Sequence, residues 1–141
     1  MNLTRIVDEG YGENAWHGAN LKMALADVTP ELAFWRPAPD RHNIAEIALH
    51  HAWCTRSVRG QLSSPPSEPF LLDGEDWFPV SNGGRVTWPQ IQAAVNAEQD
   101  KLSSAVASLK NEAQLDLVLG ITCHAIYHAG QVQLIKRLRK E

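Results

Sequence analysis

Two histidines in the C-terminal third of the chain have the spacing of a metal-binding pair. His124 and His128 lie four residues apart in a stretch with the apolar pattern of a buried helix. Four residues of an α-helix advance by about 400°, so both imidazoles lie on one face within reach of a single ion. Burying two imidazoles is unfavourable unless their nitrogens have partners, and a divalent cation would satisfy both. The pair therefore predicts a metal site whose third ligand lies elsewhere. Apolar residues that share its face on a helical wheel are Leu117, Ile121, Ile135 and Leu138.

Composition excludes several classes of protein. The chain has 141 residues, which predicts a single domain over 1–141. Its 13 Lys+Arg against 16 Asp+Glu give a net charge of −3, which argues against a nucleic-acid partner. No apolar run approaches the roughly 20 residues of a membrane span, and the N-terminus lacks the apolar core of a signal peptide. Cys54 and Cys123 form no disulfide framework. We therefore expect a cytoplasmic protein without a membrane partner.

Helix signals divide the chain into four long segments, and no strand pattern competes with them. Between the second and third segments lies an irregular stretch, 63–86, rich in proline and glycine. The fold class predicted is all-α: a four-helix bundle with a long crossover loop between helices two and three. The predicted helices cover about 3–27, then from after His42 or Asn43 to about 62, from the Thr87 cap to about 109, and from capping residues 111–114 to the basic tail.

Four further histidines are candidates for the third ligand. His42 lies at a predicted helix entrance, where capping or exposure to solvent is the common role. His17 is more typical of a structural or ligand-orienting residue. His50 and His51 are adjacent on the second predicted helix, which can aim only one of them at the bundle axis. The helical wheel favours His51 because its apolar neighbours centre on it. The residue pattern alone leaves this choice open.

Four other residues have types that suit a metal site. Gln131 lies one turn beyond the histidine pair, where it could hydrogen-bond a ligand or be a buried amide. Trp77 belongs to the long loop and is a candidate pocket wall. Cys54 and Glu46 lie one turn after and one turn before His50. A free cysteine is more often a small buried hydrophobe than a ligand, and Glu46 could equally be a solvated helix residue.

Five segments of the chain carry a resemblance to a known family. They are Ala15-Trp16-His17-Gly18, the run from Asn43 to His50, Asp76-Trp77-Phe78-Pro79, Trp88, and the run from His124 to Gln131. With these motifs the chain resembles the DinB-like superfamily of metal-binding four-helix bundles, which includes YfiT-type proteins and thiol-dependent S-transferases. The resemblance covers most of the chain, and the last motif is the most specific.

The resemblance implies a three-histidine metal site. In the family one histidine of helix two joins the helix-four pair, and the pattern Ile-x-Glu-Ile-x-x-His places it on His50, with His51 as the alternative. The implied ligands are thus His50, His124 and His128. Three neutral imidazoles suit a divalent ion, with Zn²⁺ and Ni²⁺ preferred, and leave at least one position open, as in catalytic sites.

The function implied is a metal-dependent enzyme that activates a small thiol, in the manner of an S-transferase. The alternatives are a metal-dependent hydrolase, or a non-catalytic bundle whose metal serves stability or dimer assembly. The resemblance also implies a small-molecule substrate and a homodimer. No acid/base carboxylate or Ser/His/Asp arrangement stands out in the sequence.

Overall fold

A computed structural model describes residues 2–110 and 112–140, and within these residues it contains six helices and no strand. The all-α prediction is therefore confirmed. None of these six helices combines the length and apolar content needed to cross a bilayer. The helices are α1 (Leu3–Tyr11), α2 (Leu21–Ala26), α3 (Pro30–Phe34), α4 (Ile44–Leu62), α5 (Trp88–Ala107) and α6 (Leu115–Lys140).

The bundle is built around α4 and α6, the two helices that carry the candidate ligands. Helix α4 packs against both α5 and α6, and α1 packs against α6 and α5. The two short helices lie on this frame, with α2 against α6 and α3 against α4. The histidine pair of α6 is thereby placed beside the middle of α4.

The prediction of one continuous helix over 3–27 is wrong. A loop separates α1 from α2, and Gly12 ends α1 as its C-cap. Gly18 in the loop has φ of 118°, a left-handed conformation that favours glycine. Asn20 then caps α2 by accepting a hydrogen bond from the Met23 amide. Local capping and glycine conformation therefore override the apolar periodicity that extends across this region.

The starts of α4 and α5 agree with the sequence prediction. Asn43 and Glu46 form a capping box at α4, and Thr87 and Gln90 form one at α5. No helix occurs in the connection over 63–86. The predicted cap at Asn111 lies outside the described residues.

The apolar core has two parts, and the candidate ligands lie on the stretches of α4 and α6 that contribute to the larger part. One part includes Ala48 and Leu49 of α4 with Ala129 and Val132 of α6. The other lies nearer the start of α6 and includes Val118. Apolar side chains from every long helix contribute to these two parts.

Candidate metal centre

Three imidazoles meet where α4 faces α6. The Nε2 atom of His124 lies 3.2 Å from Nε2 of His50 and 3.1 Å from Nε2 of His128. Zinc–nitrogen bonds of about 2.0–2.1 Å separate neighbouring ligands of a tetrahedral site by about 3.3 Å. The structure thus brings together the three residues that the resemblance implied, at a spacing close to that of ligands on one ion.

The outer nitrogen of His50 is held by the long loop. Its Nδ1 lies 2.9 Å from the carbonyl oxygen of Asp76 and 3.1 Å from an oxygen of the Asp76 carboxylate. Both oxygens only accept, so Nδ1 carries the proton and donates it. Asp76 has φ of 64°, an uncommon conformation for a residue other than glycine. With the proton on Nδ1, the lone pair of His50 Nε2 points into the cluster.

The outer nitrogen of His128 is held from its own helix. Its Nδ1 lies 2.6 Å from the side-chain oxygen of Gln131, one turn further along α6. The ring therefore donates from Nδ1, and its Nε2 again keeps a lone pair. This contact is one of the two roles that the sequence suggested for Gln131.

The outer nitrogen of His124 is held by a chain of two residues on α4. Its Nδ1 lies 3.0 Å from Nδ1 of His51, and His51 Nε2 lies 3.3 Å from the Thr55 hydroxyl oxygen. That hydroxyl donates to the His51 carbonyl at 2.8 Å, so its oxygen accepts from His51 Nε2–H. His51 Nδ1 is then an acceptor, and His124 must donate to it. The relay leaves a third Nε2 lone pair in the cluster.

Because these hydrogen bonds place the ring protons on Nδ1, the Nε2 atoms of the three histidines are free to bind a cation. Each of the three Nε2 atoms presents a lone pair, and none of the three rings has a proton left to place between them. Converging lone pairs without a donor are unfavourable in a partly buried site. A divalent cation among them would satisfy all three at once, so the donor set fits a metal ion.

Burial keeps His51, His124 and His128 neutral at neutral pH. Burial lowers the pKa of His51 far below its usual range, and it lowers that of His124 to about 4, with the neighbouring imidazoles adding to both shifts. Burial also lowers the pKa of His128, although its hydrogen bond to Gln131 opposes the change. A metal ligand must be deprotonated, so His124 and His128 have the required form at neutral pH.

The metal-free protein is expected to lose stability as the pH falls from about 6.5 towards 4. In this window the unfolded chain protonates His124 but the folded chain does not, so stability rises with pH. Urea unfolding in the presence of a chelator, at a series of pH values across the window, would measure the loss. The slope should be shallower in the His124→Ala variant. A wild-type free energy of unfolding that is constant across the window would contradict the prediction.

Trp77 packs face to face between two imidazoles. Its ring lies 3.9 Å from that of His50 and 3.7 Å from that of His42, with both pairs within 5° of parallel. Stacking on Trp77 restricts the orientation of the His50 ring plane, and the hydrogen bond to Asp76 keeps Nδ1 on the outer side of the ring. The long loop therefore supplies a wall of the cluster, in agreement with the interpretation of Trp77 from the sequence.

Two of the candidate histidines lie outside the cluster. His42 bonds Glu46 through Nδ1 at 3.1 Å and is half exposed. His17 is exposed and bonds Glu9 through its backbone and its ring. Both positions agree with the roles favoured from the sequence for these two histidines.

Glu46 is buried rather than solvated, and its hydrogen bonds go to residues other than the three histidines of the cluster. Its side chain is 4% exposed and receives hydrogen bonds from both terminal nitrogens of Arg36, at 2.9 and 2.6 Å. His42 and the backbone amides of Asn43 and Val80 also bond it. Burial raises its pKa, but these hydrogen bonds and the Arg36 charge outweigh burial and lower it. Glu46 thus joins α4 to the loop that carries Trp77.

Replacing Glu46 by glutamine is expected to destabilise the fold. Removing one partner of a buried ion pair leaves the other charge uncompensated and lowers the free energy of unfolding by about 3 kcal/mol. Because the Arg36 side chain is partly exposed, water compensates part of its charge and the loss should be slightly smaller than this value. Urea unfolding would measure the change, with the exposed Glu31→Gln variant as control. We expect the metal content to be unchanged. A loss below about 1 kcal/mol, as for a surface pair, would contradict this role.

Cys54, also on α4, lies close to the cluster. Its Sγ lies 3.8 Å from Nε2 of His50, and His50, Cys54 and His124 each offer a ligand atom within 4.8 Å of the other two. Burial, with a contribution from the Asp76 charge, raises the pKa of its thiol to about 11. The spacing of one turn from His50 had made Cys54 a candidate ligand, although the sequence favoured a small buried hydrophobe.

Comparison with known proteins identifies the family. The family model of the DinB superfamily matches residues 13–132, which is most of the chain. The chain belongs to the DinB superfamily. Comparison with curated proteins and with solved structures gave no match. Superfamily membership and the His50, Cys54 and His124 group are compatible with metal binding.

For two residues of this DinB-superfamily site the sequence predicted no contact with the histidines. Thr55 lies four residues after His51, which is a signal for a contact on one helix face, but only its hydroxyl geometry shows the relay. Asp76 acts mainly through its backbone carbonyl. No residue type predicts such a contact, because every residue has a carbonyl.

A groove of about 390 Å³ lies beside the cluster of the DinB-superfamily chain. We call it the α6 groove; its walls include Ile47, Leu134 and Ile135, with Arg41 and Gln131 among the polar residues. Gln131 is the residue that bonds His128. The groove is mainly apolar and has a few polar groups, as is usual for small-molecule sites.

Proposed function

We propose that this protein is a metal-dependent enzyme in which His50, His124 and His128 hold a divalent ion, Zn²⁺ or Ni²⁺, and a small thiol is activated beside it. The main support is the convergence of three Nε2 lone pairs, with Nε2 of His124 lying 3.2 Å from that of His50 and 3.1 Å from that of His128. The tautomer of each ring is determined by the hydrogen bond at its Nδ1 atom. Membership of the DinB superfamily supports it.

The chemistry needs one contribution from the ion and several from the chain. A divalent ion in this site would lower the pKa of a neighbouring thiol, so that the thiolate is available at neutral pH. The sulfur then forms a bond to an electrophilic carbon, a leaving group departs with its bonding electrons, and the thiol proton goes to solvent. Asp76, Gln131 and His51 hold the ligand rings in place. Three imidazoles leave a position for the thiol.

The α6 groove supports a small-molecule substrate. It is close enough to the cluster for Gln131 to line the groove and bond His128. Its apolar walls would bind the body of an organic electrophile, and Arg41 adds a positive charge at the groove. These features favour a substrate with an apolar body.

Titration of the zinc-loaded protein with mercaptoethanol and other small thiols tests the proposal. We expect calorimetric heats of binding and thiol-dependent consumption of a chromogenic aryl halide, both lost after chelation and in His128→Ala. His17→Ala is the matched control because its ring lies outside the cluster. If the loaded protein neither binds thiols nor turns over the halide, the transferase proposal fails.

Chelation separates a catalytic ion from a structural one. Because two clusters of apolar side chains contribute to the stability of the bundle, we expect removal of the ion to abolish activity while the melting temperature falls only slightly. Collapse of the fold on chelation would instead favour a metal that serves stability.

We also infer a homodimer, on the basis of the superfamily resemblance and of exposed apolar side chains along α6. Sedimentation equilibrium tests this inference, and a monomer at all concentrations would overturn it. The exposed apolar residues are Leu119, at 44% exposure, Tyr127, at 65%, Leu134, at 58%, and Leu138, at 45%.

A further inference from the structure

The two helices that meet at the cluster each present a pair of metal-ligating side chains four residues apart. Helix α6 presents His124 and His128, and α4 presents His50 and Cys54. Residues at this spacing lie on one helix face. The proposed three-histidine site uses both members of the α6 pair but only one member of the α4 pair.

The unused sulfur lies at a distance suited to ligation. Cys54 Sγ is 3.8 Å from Nε2 of His50, and a ligand atom of His124 lies within 4.8 Å of both. In a tetrahedral zinc site with bonds of about 2.3 Å to sulfur and 2.05 Å to nitrogen, the two ligand atoms lie about 3.6 Å apart. Cys54 Sγ also lies 3.9 Å from Nδ1 of His50, so the sulfur packs against the ring, and the cysteine side chain must rotate about its Cα–Cβ bond to approach an ion at Nε2.

We propose that Cys54 is a sulfur ligand of the same ion and that, without an exogenous thiol, it occupies the position that such a thiol would take. This proposal rests on the proposed function, and it adds that the Cys54 sulfur competes with the exogenous thiol for one coordination position of the ion. Thiolate is a soft ligand that zinc and cobalt accept readily beside imidazole.

Exchange between the two sulfurs conserves atoms and charge. The bond from the ion to Cys54 breaks, the bond to the exogenous sulfur forms, and the proton lost by the exogenous thiol is taken up by Cys54. Because the two sulfurs compete for one position, removing Cys54 should strengthen binding of mercaptoethanol by about tenfold.

Cys123 provides a matched control. It is the only other cysteine of the chain, it precedes His124 on α6, and its side chain is exposed rather than turned into the cluster. A serine at either position removes one thiol and preserves the size of the side chain. Only the replacement of Cys54 should change the coordination of the ion.

Near-ultraviolet absorption of the cobalt-loaded protein is the test. A sulfur-to-cobalt charge-transfer band is expected without added thiol in the wild type and in Cys123→Ser, and it should be lost in Cys54→Ser. Visible cobalt bands in Cys54→Ser would show that the histidines still hold the ion. Mercaptoethanol added to this variant should restore the band. A wild-type protein that binds cobalt without the band, or a band that persists in Cys54→Ser, would overturn the proposal.

A second measurement does not depend on the variant folding. Iodoacetamide labelling of wild-type Cys54, followed by mass spectrometry, should slow about tenfold when Zn²⁺ is bound, with Cys123 unaffected. Equal labelling of Cys54 with and without zinc would also overturn the proposal.

The outcomes separate this proposal from the proposed function. A band that appears in wild type only after mercaptoethanol is added would sink the role of Cys54 and support thiol activation at the site. A band that depends on Cys54 and never changes with mercaptoethanol would support the ligand and sink the thiol-dependent enzyme.

Discussion

Replacing His124 by alanine is expected to weaken binding of Zn²⁺ by at least about a hundredfold. Its Nε2 lies within 3.2 Å of the corresponding atoms of both His50 and His128, so it is the central member of the cluster. Removing it takes away one donor and releases His51 from its hydrogen bond. Calorimetric titration against a competing chelator would measure the affinity.

The control for this experiment is His17→Ala. His17 is exposed and bonds Glu9, so its loss should leave zinc affinity and stoichiometry unchanged. If His124→Ala bound one ion as tightly as wild type, zinc would occupy a different place in the protein and the proposed ligand set would be wrong.

Replacing His51 by phenylalanine is expected to weaken zinc binding by about 10- to 100-fold while the protein still takes up one ion. The phenyl ring fills the space of the imidazole but cannot accept a hydrogen bond from His124 Nδ1–H. His124 then loses the partner that sets its tautomer and orientation. His50→Phe, by contrast, should remove a ligand and cause the larger loss.

Thr55→Val probes the same relay one step further out. Valine keeps the shape of threonine but cannot accept from His51 Nε2. Its effect should be smaller than that of His51→Phe, and the double variant should be no weaker than His51→Phe alone, because both act through His124. If His51→Phe lost the ion and His50→Phe kept it, His51 would be the ligand and the relay would be wrong.

Much of the fold follows from local sequence signals. The capping boxes at Asn43 and Thr87 determine where α4 and α5 begin, because they satisfy backbone amides with neighbouring side chains. The same kind of signal explains the error in the first predicted helix. Gly12 is the C-cap of α1 and Asn20 is the N-cap of α2, but the apolar pattern continues across both positions.

The site was harder to predict because α4 is buried on nearly every side around His50. Residues 43–52 are all buried, so a helical wheel has no polar face by which to choose between His50 and His51. The choice depends on partners from other parts of the chain, which are Asp76 for His50 and His124 for His51. Periodicity favoured His51 because it measures burial, whereas the family pattern favoured His50.

Glu46 shows the same limit for charged residues. The sequence offered a place near the ion or a solvated helix surface. Its partner Arg36 lies ten residues earlier, beyond the start of α4, so no helical spacing predicts the ion pair. Only the folded chain brings the two side chains together and buries the carboxylate.

Anomalous diffraction from crystals grown with Zn²⁺ is the most direct test of the proposed centre. We expect a single zinc peak about 2.1 Å from the Nε2 atoms of His50, His124 and His128. Their Nδ1 atoms should remain bonded to Asp76, His51 and Gln131. A peak held by other side chains, or a zinc-saturated crystal with no peak among these three rings, would contradict it.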